Sequence, residues 1–163
     1  MVRNTCGTMV LSLDLELAWG MFDFLSVDAL EAQSLEERTQ IKRVIELLDR
    51  YEIPATWAMV GHLMLDSCTR DRDGLAHGEV RPPARYSWFP HDWFCFDPCT
   101  EASHAPSWYA PDILDWIRGA RVQHEIGSHS FAHIYYGDPE CTSLVAQADL
   151  QAAVDAASGK NVV

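Results

Sequence analysis

Between residues 9 and 17 the chain reads MVLSLDLEL, an apolar run interrupted only at Ser12, Asp14 and Glu16. Side chains two apart in a strand share a face, so the polar positions fall together and the pattern predicts a buried strand. Ser34-Leu-Glu-Glu37 has the form of a helix N-terminal capping box. Ile41, Val44, Ile45 and Leu48 follow at helical spacing, which predicts a helix to about Tyr51. Ile53-Pro54 closes the connection, and ATWAMV over 55–60 reads as a second buried strand ending at Gly61. Strand, helix and strand joined by short links imply a right-handed parallel unit.

Over about 66–110 the pattern dissolves into a segment rich in Trp, Pro, His and Asp with no sustained period, a length that in a compact domain marks a functional loop or an insert. Residues 112–118 then carry Ile113, Leu114, Trp116 and Ile117 on the apolar side of a short helix, and 125–128 read as the next strand end. The Ala-rich stretch 142–158 offers Leu144, Ala148, Val154 and Ala157 for a buried face, with Gly159 where a helix C-cap is expected. Val162-Val163 have the look of a fourth strand opening as the sequence stops, so the expectation is a domain cut before its later strands. No internal repeat or low-complexity tract is present.

Composition narrows the partners. With 12 basic against 24 acidic residues the formal charge is -12, which argues against nucleic acid, since a phosphate backbone is held by clustered Lys and Arg. No basic start followed by an apolar core opens the chain, and no apolar run is long enough to span a bilayer. Five cysteines at irregular spacing suit free thiols in a reducing compartment, so the expected location is cytoplasmic.

Two groups carry candidate chemistry. Asp14 and Glu16, at i and i+2, would emerge together near the carboxyl end of the first strand, where parallel α/β architectures bind ligands. Two carboxylates there are costly without a cation between them, although one could instead face solvent while the other caps a loop. His129 and His133 lie in HEIGSHSFAHI, and a four-residue spacing puts both imidazoles on one side if the segment turns helically. Alone they could be surface or cap residues; beside Asp14 and Glu16 they complete a suitable shell for a divalent ion.

Three segments in order, SLDLELAWG, IPATWAMVGHLM and HEIGSHSFAHI, resemble the polysaccharide deacetylase family, the NodB-homology domain. The resemblance implies an α/β fold, a partial (β/α) barrel of the glycoside hydrolase/deacetylase type truncated before the later strands. Residues 1–163 would be the N-terminal portion of that domain, with the irregular aromatic-rich insert at about 66–110. It also implies a catalytic base at Asp14, and one divalent metal ion, Zn²⁺ by family habit, held by Glu16, His129 and His133, with the Ser130 hydroxyl shaping the loop. The ATWAMVG strand matches a structural signature with no catalytic role.

The family's adjacent aspartate pair is here Asp-x-Glu, which leaves open whether Asp14 or Glu16 is the carboxylate ligand. The later motifs, an Arg-Pro segment, an Asp-Trp segment and a Leu-x-His segment with the catalytic acid, have no match before residue 163. The implied activity is hydrolysis of carbon-nitrogen (non-peptide) bonds, removing acetyl groups from an amino sugar in carbohydrate metabolism. A carbohydrate is then the expected partner. An inactive fragment, prone to self-association through an unpaired sheet edge, and a metal-independent glycan-binding module are the alternatives.

In the insert, Trp88, Trp93, Phe94, Phe96, Trp108 and Tyr109 could form a wall for pyranose rings, or a hydrophobic cluster that packs the loop. Cys95 and Cys99 with His91 and His104 invite a structural zinc reading, but match no standard knuckle spacing. His62 and His124 are read as ordinary loop or packing residues.

Overall fold

The computed structural model describes residues 7–78, 80, 89, 91–160 and 162. Trp88, Cys6 and Val163 therefore lie outside the described residues, and so does the expected opening of a fourth strand as a pair; Val162 lies in no strand.

The architecture is mixed α/β, a small parallel sheet with helices. In chain order the elements are β1 (Ser12–Leu15), α1 (Val27–Tyr51), β2 (Thr56–Met59), α2 (Pro111–Arg118), β3 (Glu125–Ser128) and α3 (Ser143–Ala157), with 3-10 turns at Leu17–Gly20, Gly61–Met64 and Trp93–Phe96. The three strands lie in the order β1-β2-β3, all parallel. The register is what positions the chemistry: Leu15 pairs with Met59, and Met59 with Ser128. Glu16 and His129, each one residue further on, therefore leave the carboxyl rim of the sheet at the same level.

Burial follows the sequence pattern closely in the strands. Leu15, Trp57, Met59 and Ile126 are buried, whereas Ser12 and Asp14 are exposed, as alternation requires. The start of α1 departs from expectation. Ser34 and Glu37 form no capping box: the helix begins eight residues earlier in sequence at Ser26, whose hydroxyl accepts from the Ala29 N–H at 3.4 Å. Ser34 is buried in the helix interior and donates to the Leu30 carbonyl at 2.8 Å. A Ser inside a helix can satisfy its hydroxyl on the carbonyl four residues back, so the capping pattern alone does not locate an N-terminus. Leu30, Ile41, Ile45 and Leu48 form the buried stripe, and Glu52 ends the helix in the left-handed region at φ 56.

The segment between β2 and α2 holds the largest side chains of the core. Trp93, Phe94, Trp108 and Tyr109 are buried, and Trp19 lies among them with its ring edge-on to Trp108 at 5.5 Å. Their polar atoms are satisfied by backbone: the Trp19 indole donates to the Trp108 carbonyl at 3.3 Å and the Trp93 indole to the Ala132 carbonyl at 3.2 Å. Burial of such rings contributes on the order of 2–3 kcal/mol each, which is how a segment lacking regular structure is held against the sheet. Among the described residues, no helix is long and apolar enough to cross a membrane.

Candidate metal centre

Glu16 follows β1 directly and precedes the 3-10 turn Leu17–Gly20. His129 follows β3, its N–H donating to the Met59 carbonyl at 2.9 Å. His133 comes from the turn after it. The two histidines meet without any helix: Ser130 (φ 62) and His133 (φ 57) both adopt left-handed backbone, and the chain doubles back so that the rings lie 5.2 Å apart. The helical geometry expected from the four-residue spacing is thus replaced by a strained loop. Such conformations cost of order 1–3 kcal/mol each at non-glycine residues, and persist where surrounding contacts enforce them.

Those contacts are identifiable. The Gly61 and His62 N–H groups donate to the carbonyls of Ser130 (2.8 Å) and Phe131 (2.9 Å). From α3, the buried carboxylate of Asp149 accepts from the Phe131 N–H at 3.0 Å, the Ala132 N–H at 3.1 Å and the Tyr136 hydroxyl at 2.5 Å. Asp149 was invisible to motif reading because it sits in an Ala-rich helix sixteen residues beyond His133 with no local pattern around it. The available signal was an acid at a helical position four before the buried Ala153, in a helix whose other acid, Asp155, is exposed.

Glu16, His129 and His133 converge. One oxygen, Oε1 of Glu16, lies 3.0 Å from His129 Nε2 and 3.1 Å from His133 Nε2. The hydrogen bonds from His129 and then His133 hold the Glu16 carboxyl down at about 2, and the bond to Glu16 in turn raises the His129 imidazole above its ordinary value. Three ligand atoms of the types a divalent ion takes thus face a common point, so this group fits a metal ion on its donor chemistry. Asp14 stands apart. Its exposed carboxylate is 4.0 Å from the other ring nitrogen of His129, Nδ1.

A cleft of about 600 Å³ opens beside the two histidines, lined in part by Phe22, Phe24, Tyr135 and Tyr136. Phe24 and Tyr135 are largely exposed. These rings are the aromatic surface next to the site, and they correct the sugar-facing wall expected from the insert: Trp93, Trp108 and Tyr109 are each 1% exposed and present no open face. The packing alternative describes those three, since a long loop without regular structure must bury its own large rings. Trp88 belongs to the residues left undescribed.

A second group of ligand-type side chains is present, His62, Cys68, His77 and Asp97, with all ligand atoms within 4.8 Å of one another. His62, read from the sequence as a loop or packing residue, is buried and belongs to this group. Cys95, Cys99, His91 and His104 belong to neither group. His124 does fill a structural role, its Nδ1 accepting the Ala55 N–H at 3.2 Å. Either group could hold a metal ion. No family model matches this chain, and no match to it is found among curated proteins or among solved structures.

Proposed function

We propose that this chain is a metal-dependent hydrolase of the polysaccharide deacetylase type, acting on the acetamide of an acetylated amino sugar. The observation that carries the reading is the convergence of Glu16, His129 and His133 at the carboxyl rim of a parallel sheet, beside an aromatic cleft. A small in-order parallel sheet is consistent with the first strands of a (β/α) barrel, and ligands of such folds gather at that rim.

Glu16, His129 and His133 would hold the ion, with zinc the natural occupant of a two-imidazole, one-carboxylate set. When bound, it supplies Lewis acidity that brings water into its nucleophilic form near neutral pH and polarises the acetyl carbonyl. The protein's own groups do the rest. Asp14, solvent-exposed and next to His129, takes the proton from water as general base. Phe24 and Tyr135, which line the cleft and are largely exposed, offer flat apolar faces on which a pyranose ring can rest. The products are acetate and a free amine.

Acetate release from an N-acetylglucosamine oligomer by the zinc-loaded chain, followed in parallel with metal content, tests this. Turnover that is lost in His129→Ala and His133→Ala together with the bound zinc supports the reading. A folded, zinc-loaded chain that releases no acetate would sink it. Glycan affinity that survives chelation would instead identify a glycan-binding module.

A further inference from the structure

His62, Cys68, His77 and Asp97 come from separate parts of the chain and meet behind the rim. His62 lies in the 3-10 turn Gly61–Met64 that follows β2, while the other three belong to the irregular segment before α2. His62 and Asp97 are completely buried, and the His77 side chain is 13% exposed. His62 Nε2 is 2.9 Å from Asp97 Oδ2 and 3.1 Å from His77 Nε2; His77 Nε2 is 3.4 Å from Asp97 Oδ2, and Cys68 Sγ is 3.2 Å from the same oxygen.

His62 Nδ1 lies 3.2 Å from the Trp108 carbonyl, which only accepts, so Nδ1 carries a hydrogen and Nε2 is turned toward the other three side chains. His62 Nε2, His77 Nε2, Cys68 Sγ and Asp97 Oδ2 thus converge on one largely buried point, where either a proton shared between His62 and Asp97 or a metal ion held by all four satisfies them. The outer contacts are those of a ligand shell fixed from behind: His62 donates to a backbone carbonyl, and Asp97 Oδ1 accepts from the Tyr109 hydroxyl at 2.7 Å and the Cys99 N–H at 2.9 Å. Two of the non-glycine residues with left-handed backbone, His77 (φ 49) and Cys99 (φ 46), lie in this same centre.

We propose that His62, Cys68, His77 and Asp97 form a second, closed metal site that takes one tetrahedral divalent ion, zinc by ligand type, and fastens the segment between β2 and α2 to the carboxyl rim of the sheet. Bonds of about 2.0–2.3 Å in tetrahedral geometry keep ligand atoms roughly 3.3–3.8 Å apart. The four separations of 2.9–3.4 Å among these atoms therefore need to change by only a few tenths of an ångström, and the two from Cys68 Sγ to the imidazoles start within 4.8 Å. The charge closes too: the Cys68 thiol gives its proton to solvent, and one thiolate and one carboxylate neutralise the dication, so no net charge is buried. With four protein ligands no position is left for water, and the role is structural. This site is independent of the proposed catalytic one.

Cobalt substitution of the reduced full chain separates the two, because only this site contains sulfur. The expected result is a near-ultraviolet thiolate-to-cobalt charge-transfer absorption in the wild type that persists in His129→Ala and Cys95→Ser and disappears in Cys68→Ser. Its absence from the cobalt-loaded wild type, or its survival in Cys68→Ser, overturns the proposal. Should Cys68→Ser fail to fold, alkylation of the unaltered chain decides. Zinc should slow labelling of Cys68 at least about tenfold relative to the exposed Cys95, as expected of a coordinated thiolate. Equal labelling of Cys68 with and without zinc overturns it.

Discussion

The two groups of metal-ligand side chains share imidazole and carboxylate chemistry, yet differ in access and in number. Glu16, His129 and His133 are a quarter to a third exposed and stand at the mouth of a cleft. His62 and Asp97 have no exposure, and a thiol adds a fourth side chain of ligand type. Three ligands leave room for water and substrate, whereas four close the shell. The difference teaches that ligand identity alone does not assign a role; the count of ligands and the space in front of them do. Strain is common to both, since Leu17, Ser130 and His133 flank the open group and His77 and Cys99 the closed one, all with left-handed backbone.

The strongest way to break the comparison is to remove one ligand from each. His129→Ala is expected to lower zinc affinity of the open group by at least about 100-fold, more than the loss typical of an outer-shell change, with hydrolysis falling in step. Cys68→Ser should leave the open group's affinity within about threefold. Isothermal titration of both variants checks this, and a common loss would mean that the groups act as one.

Next in size is Asp149→Ala, which strips two buried N–H groups and the Tyr136 hydroxyl of their acceptor. Unfolding in urea should show a loss of about 2–6 kcal/mol, from the two buried N–H donors at about 1–3 kcal/mol each. A loss under about 1 kcal/mol would show that the loop carrying His129 and His133 is held otherwise.

Gly20→Ala sharpens the comparison more gently. A Cβ there would sit 2.0 Å from Glu16 Oε2 and 2.8 Å from Glu16 Cβ, so the carboxylate must move. Zinc affinity at the open group should drop about tenfold, a change of about 1.4 kcal/mol, while the thiolate-containing group is unaffected.

The smallest effect is expected at Glu37, where burial first, and then the Glu16 charge, raise the carboxyl above the usual range. A raised carboxyl contributes stability below its unfolded value of 4.5 that is lost as pH rises through the folded value. Glu37→Gln should therefore gain stability relative to wild type as pH rises above that value, read from urea midpoints across the range. A pH-independent difference would remove the Glu16–Glu37 repulsion from the account.

Local pattern was enough wherever local physics decides. The strand at 125–128, the helix ending near Tyr51 and the short helix before Gly119 emerge where alternation or helical spacing places them, since each needs one apolar face and a stop. The open group was legible for the same reason: Glu16 and His129 end strands, and parallel register brings strand ends to one rim. What no local pattern contains is convergence from distant segments. The closed group spaces its ligands over residues 62 to 97, Asp149 reaches back from α3, and the Trp-rich segment could be read as a wall or as a core until its rings were found buried. By itself the sequence determined the strands, most of the helix extents and the ligand types at the rim, because period and propensity act over neighbouring residues. Only the tertiary structure decided which buried polar atoms meet and which rings face a cleft, because those depend on packing between parts of the chain that share no period.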